Sequence, residues 1–99
     1  MKKTFYRTIL ALSIIEPEDY LKLGTSETEF DELFPTAELA IKKAKQLFNK
    51  YKVSKTKEVY SIVSIWAAVW PVDVNEHGSK AGKRILNLYK DQETAQQNQ

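Results

Sequence analysis

The sequence predicts a small α+β domain, in which one amphipathic helix packs on one face of a mainly antiparallel sheet. Residues 4–15 and 58–70 are rich in β-branched and aromatic side chains, which favour strands. Between them, residues 36–51 carry an apolar stripe with helical spacing. With a further short strand in residues 83–90, the predicted order is strand, helix, strand, strand.

The chain length indicates a single domain. Ninety-nine residues support one modest core, which we expect to span residues 1–91, followed by a polar, frayed tail over residues 92–99. No apolar run approaches the roughly 20 residues of a membrane-spanning helix. The N-terminal apolar run is not followed by a small-residue cleavage site. A cytoplasmic protein without membrane association is therefore expected.

The first predicted strand and the segment after it differ sharply in character. Residues 4–15 are apolar at both even and odd positions, so we expect a central strand covered on both faces. Residues 16–35 predict a long acidic connection, broken by a turn at Gly24. Its apolar side chains, which we expect to hold it against the core, are Tyr20, Leu21 and Leu23.

The helix over residues 36–51 is the clearest local prediction. Thr36 is expected to be the N-cap, and Glu38 lies in the first turn, where the helix dipole favours an anion. The apolar stripe consists of Ala37, Ala40, Ile41, Ala44, Leu47, Phe48 and Tyr51. We expect this stripe to pack against the aliphatic side of the strand at residues 58–70.

The C-terminal half predicts a hairpin. Pro71 is expected to end the strand at residues 58–70 or to place it at an edge, and residues 75–80 have the composition of a turn. Residues 83–90 fit either a strand, because Leu86 and Leu88 alternate, or a short helix. Hairpin geometry with the preceding strand favours the strand.

The strand at residues 58–70 has one aliphatic and one aromatic side, and the aromatic side is the first candidate site. Tyr60, Trp66 and Trp70 occupy even positions and are expected to share this face. One interpretation is burial, under the 16–34 connection or a partner subunit. The other is an exposed aromatic patch that binds a partner.

Charge is segregated along the chain, although the formal net charge is only +2. Residues 16–38 carry eight acids and one lysine, whereas residues 39–57 carry seven lysines and no acid. One interpretation is that the two charged segments lie near each other and their charges offset, at little gain in stability. Alternatively, the basic residues contact nucleic-acid phosphates. The candidate residues for that function are Lys42, Lys43, Lys45, Lys50, Lys52, Lys55, Lys57, Lys83 and Arg84.

The residues needed for catalysis or metal binding are not arranged in any recognisable pattern. No cysteine is present and the only histidine is His77, so a thiolate site and a multi-histidine site within one chain are excluded. Residues 73–78 begin like a calcium loop, but Arg84 stands where a bidentate glutamate is required. We therefore expect no enzyme activity, no catalytic residue, no metal and no cofactor.

The leading hypothesis is a small non-catalytic binding or adaptor domain that acts through a protein partner or through self-association. Tyr60, Trp66 and Trp70 are its expected contact residues. Nucleic-acid binding through the lysine-rich helix face and the basic hairpin is the alternative. The two hypotheses differ in whether the aromatic or the basic residues form the contact surface.

Overall fold

The computed structural model describes residues 2–93 and confirms the α+β class. Within these residues, one helix packs against an antiparallel five-stranded sheet. The elements are β1 Lys3–Ile14, β2 Thr25–Phe34, α1 Ala37–Lys50, β3 Ile62–Asn75, β4 Gly78–Ala81 and β5 Leu86–Asp91. The sheet order is β2-β1-β3, and both β4 and β5 pair with the far edge of β3. Because β4 pairs with residues 72–75 and β5 with residues 64–69, the two short strands lie end to end.

Residues 16–35, predicted as a long acidic connection, contain the edge strand Thr25–Phe34, which the predicted strand order lacks. Most β2 side chains are exposed, and charged residues are a common way of protecting such an edge. Only Phe30 and Phe34 pack towards the core, with their rings 6.3 Å apart. A bulge at Glu29 of β2, between the pairs Leu10–Phe30 and Ala11–Thr28, also shifts the register, so the period-two pattern of β2 is broken there.

The loop between β1 and β2 does not rest on the core, contrary to the prediction. Tyr20, Leu21 and Leu23 are 93%, 76% and 72% exposed. The loop is instead shaped by Asp19, whose carboxylate accepts hydrogen bonds from the backbone N–H groups of Leu23 and Gly24. Its apolar side chains therefore face solvent beside a locally capped turn.

Gly24→Ala is expected to lower the free energy of unfolding by about 1–3 kcal/mol. Gly24 has φ +88°, and an added Cβ would lie 2.5 Å from Val63 Cγ2. Gly78→Ala is the matched control, since φ is +135° there but no atom lies within 4 Å of the added Cβ. Urea unfolding of both variants should show the larger loss at Gly24, and equal losses would mean that the contact with Val63 is not limiting.

The strand predicted at residues 58–70 is displaced towards the C-terminus. β3 begins at Ile62, continues through Pro71 to Asn75 and lies between β1 and the two short strands, so the prediction that Pro71 ends the strand or places it at an edge is wrong. The Pro71 carbonyl accepts a hydrogen bond from the Gly82 N–H, at the junction between β4 and β5. Proline has no backbone N–H, and Pro71 lies between the part of β3 that pairs with β4 and the part that pairs with β5. A proline is tolerated at such an interruption in the pairing.

The C-terminal hairpin agrees with the prediction in outline. The turn between β3 and β4 is short, and the Asn75 side chain accepts a hydrogen bond from the His77 N–H at 2.8 Å. Residues 83–90 resolve in favour of a strand, because β5 pairs antiparallel with β3. β4 was not predicted, since three of its four residues, 78–80, lie within the predicted turn.

The core lies between α1 and one face of the sheet. Alternate residues of β1 and β3 are fully or almost fully buried on this face: Thr8, Leu10, Leu12, Ile65, Ala67 and Val69. The helix contacts them most closely through Ala40 and Ala44, both 0% exposed, whereas Ile41, Leu47 and Phe48 are half-buried around them. The stripe thus faces the aliphatic side of β3, as predicted.

Two hydrogen bonds fix the position of the helix. The Thr36 hydroxyl accepts from the Leu39 N–H at 3.2 Å, which confirms the predicted N-cap. The buried Thr8 hydroxyl donates to the Ala40 carbonyl at 2.8 Å, so a polar side chain within the core is satisfied.

The C-terminal end of the described chain is tied to the rest of the domain. Lys90 donates to the Phe48 carbonyl at 2.8 Å, in the last turn of α1, where a cation is favoured. The Gln92 amide donates to the carbonyls of Ser54 and Thr56. The predicted tail over residues 92–99 therefore begins with an anchored residue, and residues 94–99 lie outside the described part of the chain.

Candidate binding surface

The sheet face opposite α1, centred on Arg7, Trp66, Trp70 and Tyr89, is here called the open face. No element within residues 2–93 packs over it, because α1 lies against the other side of the sheet. Within these residues, β1 is therefore covered on one face, and not on both as predicted. Both tryptophans are half-buried by their neighbours in the sheet, and Tyr89 is 55% exposed.

Trp66 is held by a polar contact at its edge and a cation near its ring. Its indole Nε1–H donates to Asn87 Oδ1 at 2.6 Å, and Arg84 Nη1 donates to the same oxygen at 3.1 Å. The Arg84 guanidinium carbon lies 5.9 Å from the centre of the Trp66 ring. Asn87 thus fixes both the indole and the guanidinium, so these two side chains are ordered together.

Trp70, on the same strand as Trp66, has a similar arrangement with an arginine of the neighbouring strand β1. Arg7 is its cross-strand partner in β1, and the guanidinium carbon lies 5.4 Å from the ring centre. Arg7 also makes a bidentate pair with Asp31 of β2, at 2.7 and 2.5 Å. This hydrogen bonding lowers the pKa of Asp31 and raises the pKa of Arg7.

Arg7→Gln is expected to lower the free energy of unfolding by less than about 1 kcal/mol at neutral pH, because an ion pair that solvent reaches is screened. The side chains of Arg7 and Asp31 are 39% and 38% exposed. Since the pKa of Asp31 is lowered from 3.8, the contribution is present above that pH and is lost as the pH falls through the lowered pKa. Urea unfolding of both proteins should therefore converge in acid, whereas an undiminished difference there would exclude the ion pair as its cause.

The open face is shaped as a shallow groove. One depression of about 420 Å³ lies between Arg7, Arg84 and the two tryptophans. A second, of about 370 Å³, continues past Trp70 to Leu33, which is 52% exposed. The floor between the tryptophans is Ala68, which is 0% exposed. Two indoles therefore rise on either side of a small residue, and each has an arginine near it.

The structure brings Trp66 and Trp70 together, as predicted, but separates Tyr60 from them. Tyr60 precedes β3 and adopts a left-handed conformation with φ 68°. Its backbone N–H donates to the Ile15 carbonyl at 2.7 Å, and its side chain is 70% exposed. Tyr60 therefore lies in a turn at the end of the sheet and outside the open face.

The candidate basic residues do not form one surface. The lysines of α1 lie on the side of the sheet opposite the tryptophans, and Lys43 lies 5.2 Å from the centre of the Phe30 ring. Arg84 belongs to the open face instead, beside Trp66. Among residues 2–93, no ion pair joins a lysine of the 39–57 segment to an acid of β2.

Sequence reasoning missed several residues of the open face. Arg7 and Asn87 become relevant only through strand pairing, which sets Arg7 opposite Trp70 and Asn87 opposite Ala68. Tyr89 is likewise opposite Trp66. The alternation of residues in β1 and β5 indicates which face of the sheet each side chain occupies. The sequence does not show which residues of two strands pair with each other, so these contacts could not be predicted.

Comparisons of the chain with protein-family models, with curated proteins and with solved structures find no match. No helix within residues 2–93 has the length and apolar composition needed to cross a membrane. In the same part of the chain, no group of three or more histidine, cysteine, aspartate or glutamate residues is arranged to hold a metal ion. The chemistry of the open face is thus the main guide to function.

Proposed function

We propose that this domain is a non-catalytic protein-binding module and that the open face is its contact surface. The observation that carries the proposal is the pair of tryptophans, Trp66 and Trp70, on a sheet face that no element of residues 2–93 covers. Tryptophan, tyrosine and arginine are the residue types that dominate binding energy at protein interfaces. All three occur together here.

The fixed conformation of the two arginines also supports the proposal. Asn87 and Asp31 hold the two arginines near the indole rings by hydrogen bonds before any partner arrives. Side chains that are already fixed lose less conformational entropy on binding. The groove is open along the sheet rather than enclosed, which suits an extended protein surface better than a small molecule.

Photo-crosslinking tests this proposal. A benzophenone amino acid in place of Tyr89, on the open face, is expected to capture a protein in extracts of the native host on irradiation. The matched control places the same group at Asn49, an exposed position on α1 away from the sheet. Adducts at position 89 that are absent at position 49 support the proposal. An absence of adducts at position 89, or equal adducts at both, contradicts it.

Nucleic-acid binding is the second candidate function, favoured by one observation. Six lysines of the 39–57 segment are exposed, and they lie along α1 and the loop after it: Lys42, Lys45, Lys50, Lys52, Lys55 and Lys57. Binding of a labelled oligonucleotide should then weaken steeply with salt, because counterions are released from each neutralised phosphate. Since the tryptophans lie on the other side of the sheet, their fluorescence should not change. No shift of the oligonucleotide at low salt would reject this function.

A further inference from the structure

We infer that the partner of the open face is a second copy of this chain, packed sheet against sheet about a two-fold axis parallel to the strands. This inference rests on the proposed function and adds the identity and orientation of the partner. When two identical faces meet, every contact occurs twice. The axis then lies between the two sheets, and its direction determines which strands face each other.

An axis parallel to the strands, placed between β1 and β3, sets β1 over the β3 of the other copy and β2 over its β5. Residues keep their level along the strands, apart from the offset of about 30° between aligned sheets. The strand register then predicts the contacts. Ile9 pairs with Ala68 in the sheet, so these two residues are level, that is, at the same height along the strands. Ala11 and Trp66 form the next pair on the same face and are level in the same sense.

The sizes of these side chains match across the axis at these two levels, whereas the level of Arg7 and Trp70 sets two large side chains opposite each other. The large Trp66 faces the small Ala11 of the partner subunit, and the small Ala68 faces the larger Ile9 of the partner subunit. Facing sheets pack best when large and small side chains interdigitate. An axis perpendicular to the strands would instead set β3 over β3, with Trp66 against Trp70 of the partner subunit. The first orientation is therefore favoured.

The charges match in the same orientation. Asp31 is level with Ile9 at the β2 side of the face, and Asn87 is level with Ala68 at the β5 side. Asp31 therefore faces the corner where Asn87 holds Arg84 of the partner subunit. Within residues 2–93, no ion pair of Arg84 with a carboxylate is found. The two-fold brings the Asp31 carboxylate, which already pairs with Arg7 of its own chain, towards Arg84 of the partner subunit at both ends of the interface.

The size of the face indicates a moderate affinity. Four strands spaced about 4.8 Å apart and the length of β3 from Ser64 to Val72 give a flat footprint of roughly 500 Å² per copy. This lies below the roughly 800 Å² per partner of a standard interface. We therefore expect a dimer that dissociates in the micromolar range.

Charge reversal tests the orientation. Asp31→Arg and Arg84→Asp each set like charges opposite each other at both ends of the predicted dimer. Each single variant is expected to raise the dimer dissociation constant at least tenfold in sedimentation equilibrium. A 1:1 mixture of the two variants, and the double variant in one chain, are expected to recover dimerisation, because opposite charges again face each other.

The outcomes separate clearly. Recovery in the mixture supports the inference, since only contact between the two positions in different copies explains it. Single variants that dimerise as well as the wild type overturn it, as does a folded mixture that stays monomeric. Circular dichroism checks that each variant is folded. This check is needed because Asp31→Arg places a second arginine beside Arg7.

A second measurement does not depend on the charged residues. Thr28 and Tyr89 are exposed, lie at opposite edges of the same level of the face, and are predicted to meet across the two-fold. The chain has no native cysteine. Thr28→Cys mixed with Tyr89→Cys should form a crosslinked dimer with a short bis-maleimide, whereas each variant alone should not. Equal crosslinking in all three samples, or none in any, overturns the inferred orientation.

Failure of this inference is distinguishable from failure of the proposed function. If the purified protein is monomeric at high micromolar concentration while the group at position 89 captures a different protein, the function stands and the second copy is rejected. If position 89 captures nothing, neither the function nor the dimer is supported.

Discussion

Leu10→Ala is expected to lower the free energy of unfolding by about 2–5 kcal/mol, because a buried leucine leaves a cavity as well as losing transfer energy. Leu10 is 0% exposed and belongs to the core cluster with Ala40 and Ala44 of the helix. A domain of this size has only about 5–10 kcal/mol to lose. The variant should therefore unfold at a clearly lower urea concentration, or be unfolded at physiological temperature.

The matched comparison is Leu47→Ala. Leu47 lies on the apolar stripe of α1 but is only half-buried, so it should cost less than Leu10→Ala. Lys42→Ala, on the exposed side of the helix, should change stability by less than about 0.5 kcal/mol. If Leu47→Ala were the more damaging of the two leucine variants, the helix would be seated differently on the sheet.

Trp66→Ala is expected to weaken binding at the open face by about 30-fold or more, as is typical when an interface tryptophan is truncated. The variant removes the ring and also the hydrogen bond to Asn87 that orders Arg84. Isothermal titration with the captured partner, or the dimer dissociation constant if the partner is a second copy, measures the effect.

Two controls separate binding from folding in this experiment. Trp66→Phe keeps an aromatic ring but loses the indole N–H, so its affinity should lie between those of the wild type and the alanine variant. Lys42→Ala changes the opposite side of the domain and should leave binding unchanged. Wild-type affinity in Trp66→Ala would exclude the open face as the contact surface.

The parts of the fold that the sequence predicted are those with the strongest apolar patterns, a helical stripe in α1 and a nearly continuous apolar run in β1. The helical stripe, with Thr36 as its cap, and the apolar strand β1 stand out because burial against the core requires such patterns. β2 escaped prediction because an edge strand buries few side chains. Among its residues, only Phe30 and Phe34 pack towards the core, and the charged Glu32 occupies the position between them in the same alternation.

The candidate site was predictable only in part, for a related reason. Trp66 and Trp70 lie on one strand, so their shared face follows from period-two alternation. Their arginine neighbours come from other parts of the chain. Arg7 meets Trp70 through strand pairing, and Arg84 reaches Trp66 from the loop between β4 and β5. Such contacts depend on strand order and register, which local patterns do not specify.

Quenching of tryptophan fluorescence by acrylamide tests most directly whether the open face is uncovered in the isolated chain and closes on binding. The chain contains two tryptophans, and both lie on this face, so the whole signal reports on it. At nanomolar concentration, acrylamide should quench the fluorescence readily, and raising the concentration to high micromolar, or adding the captured partner, should protect it. Fluorescence that resists quenching at nanomolar concentration, and that neither protein concentration nor partner alters, would contradict the proposed role of the open face.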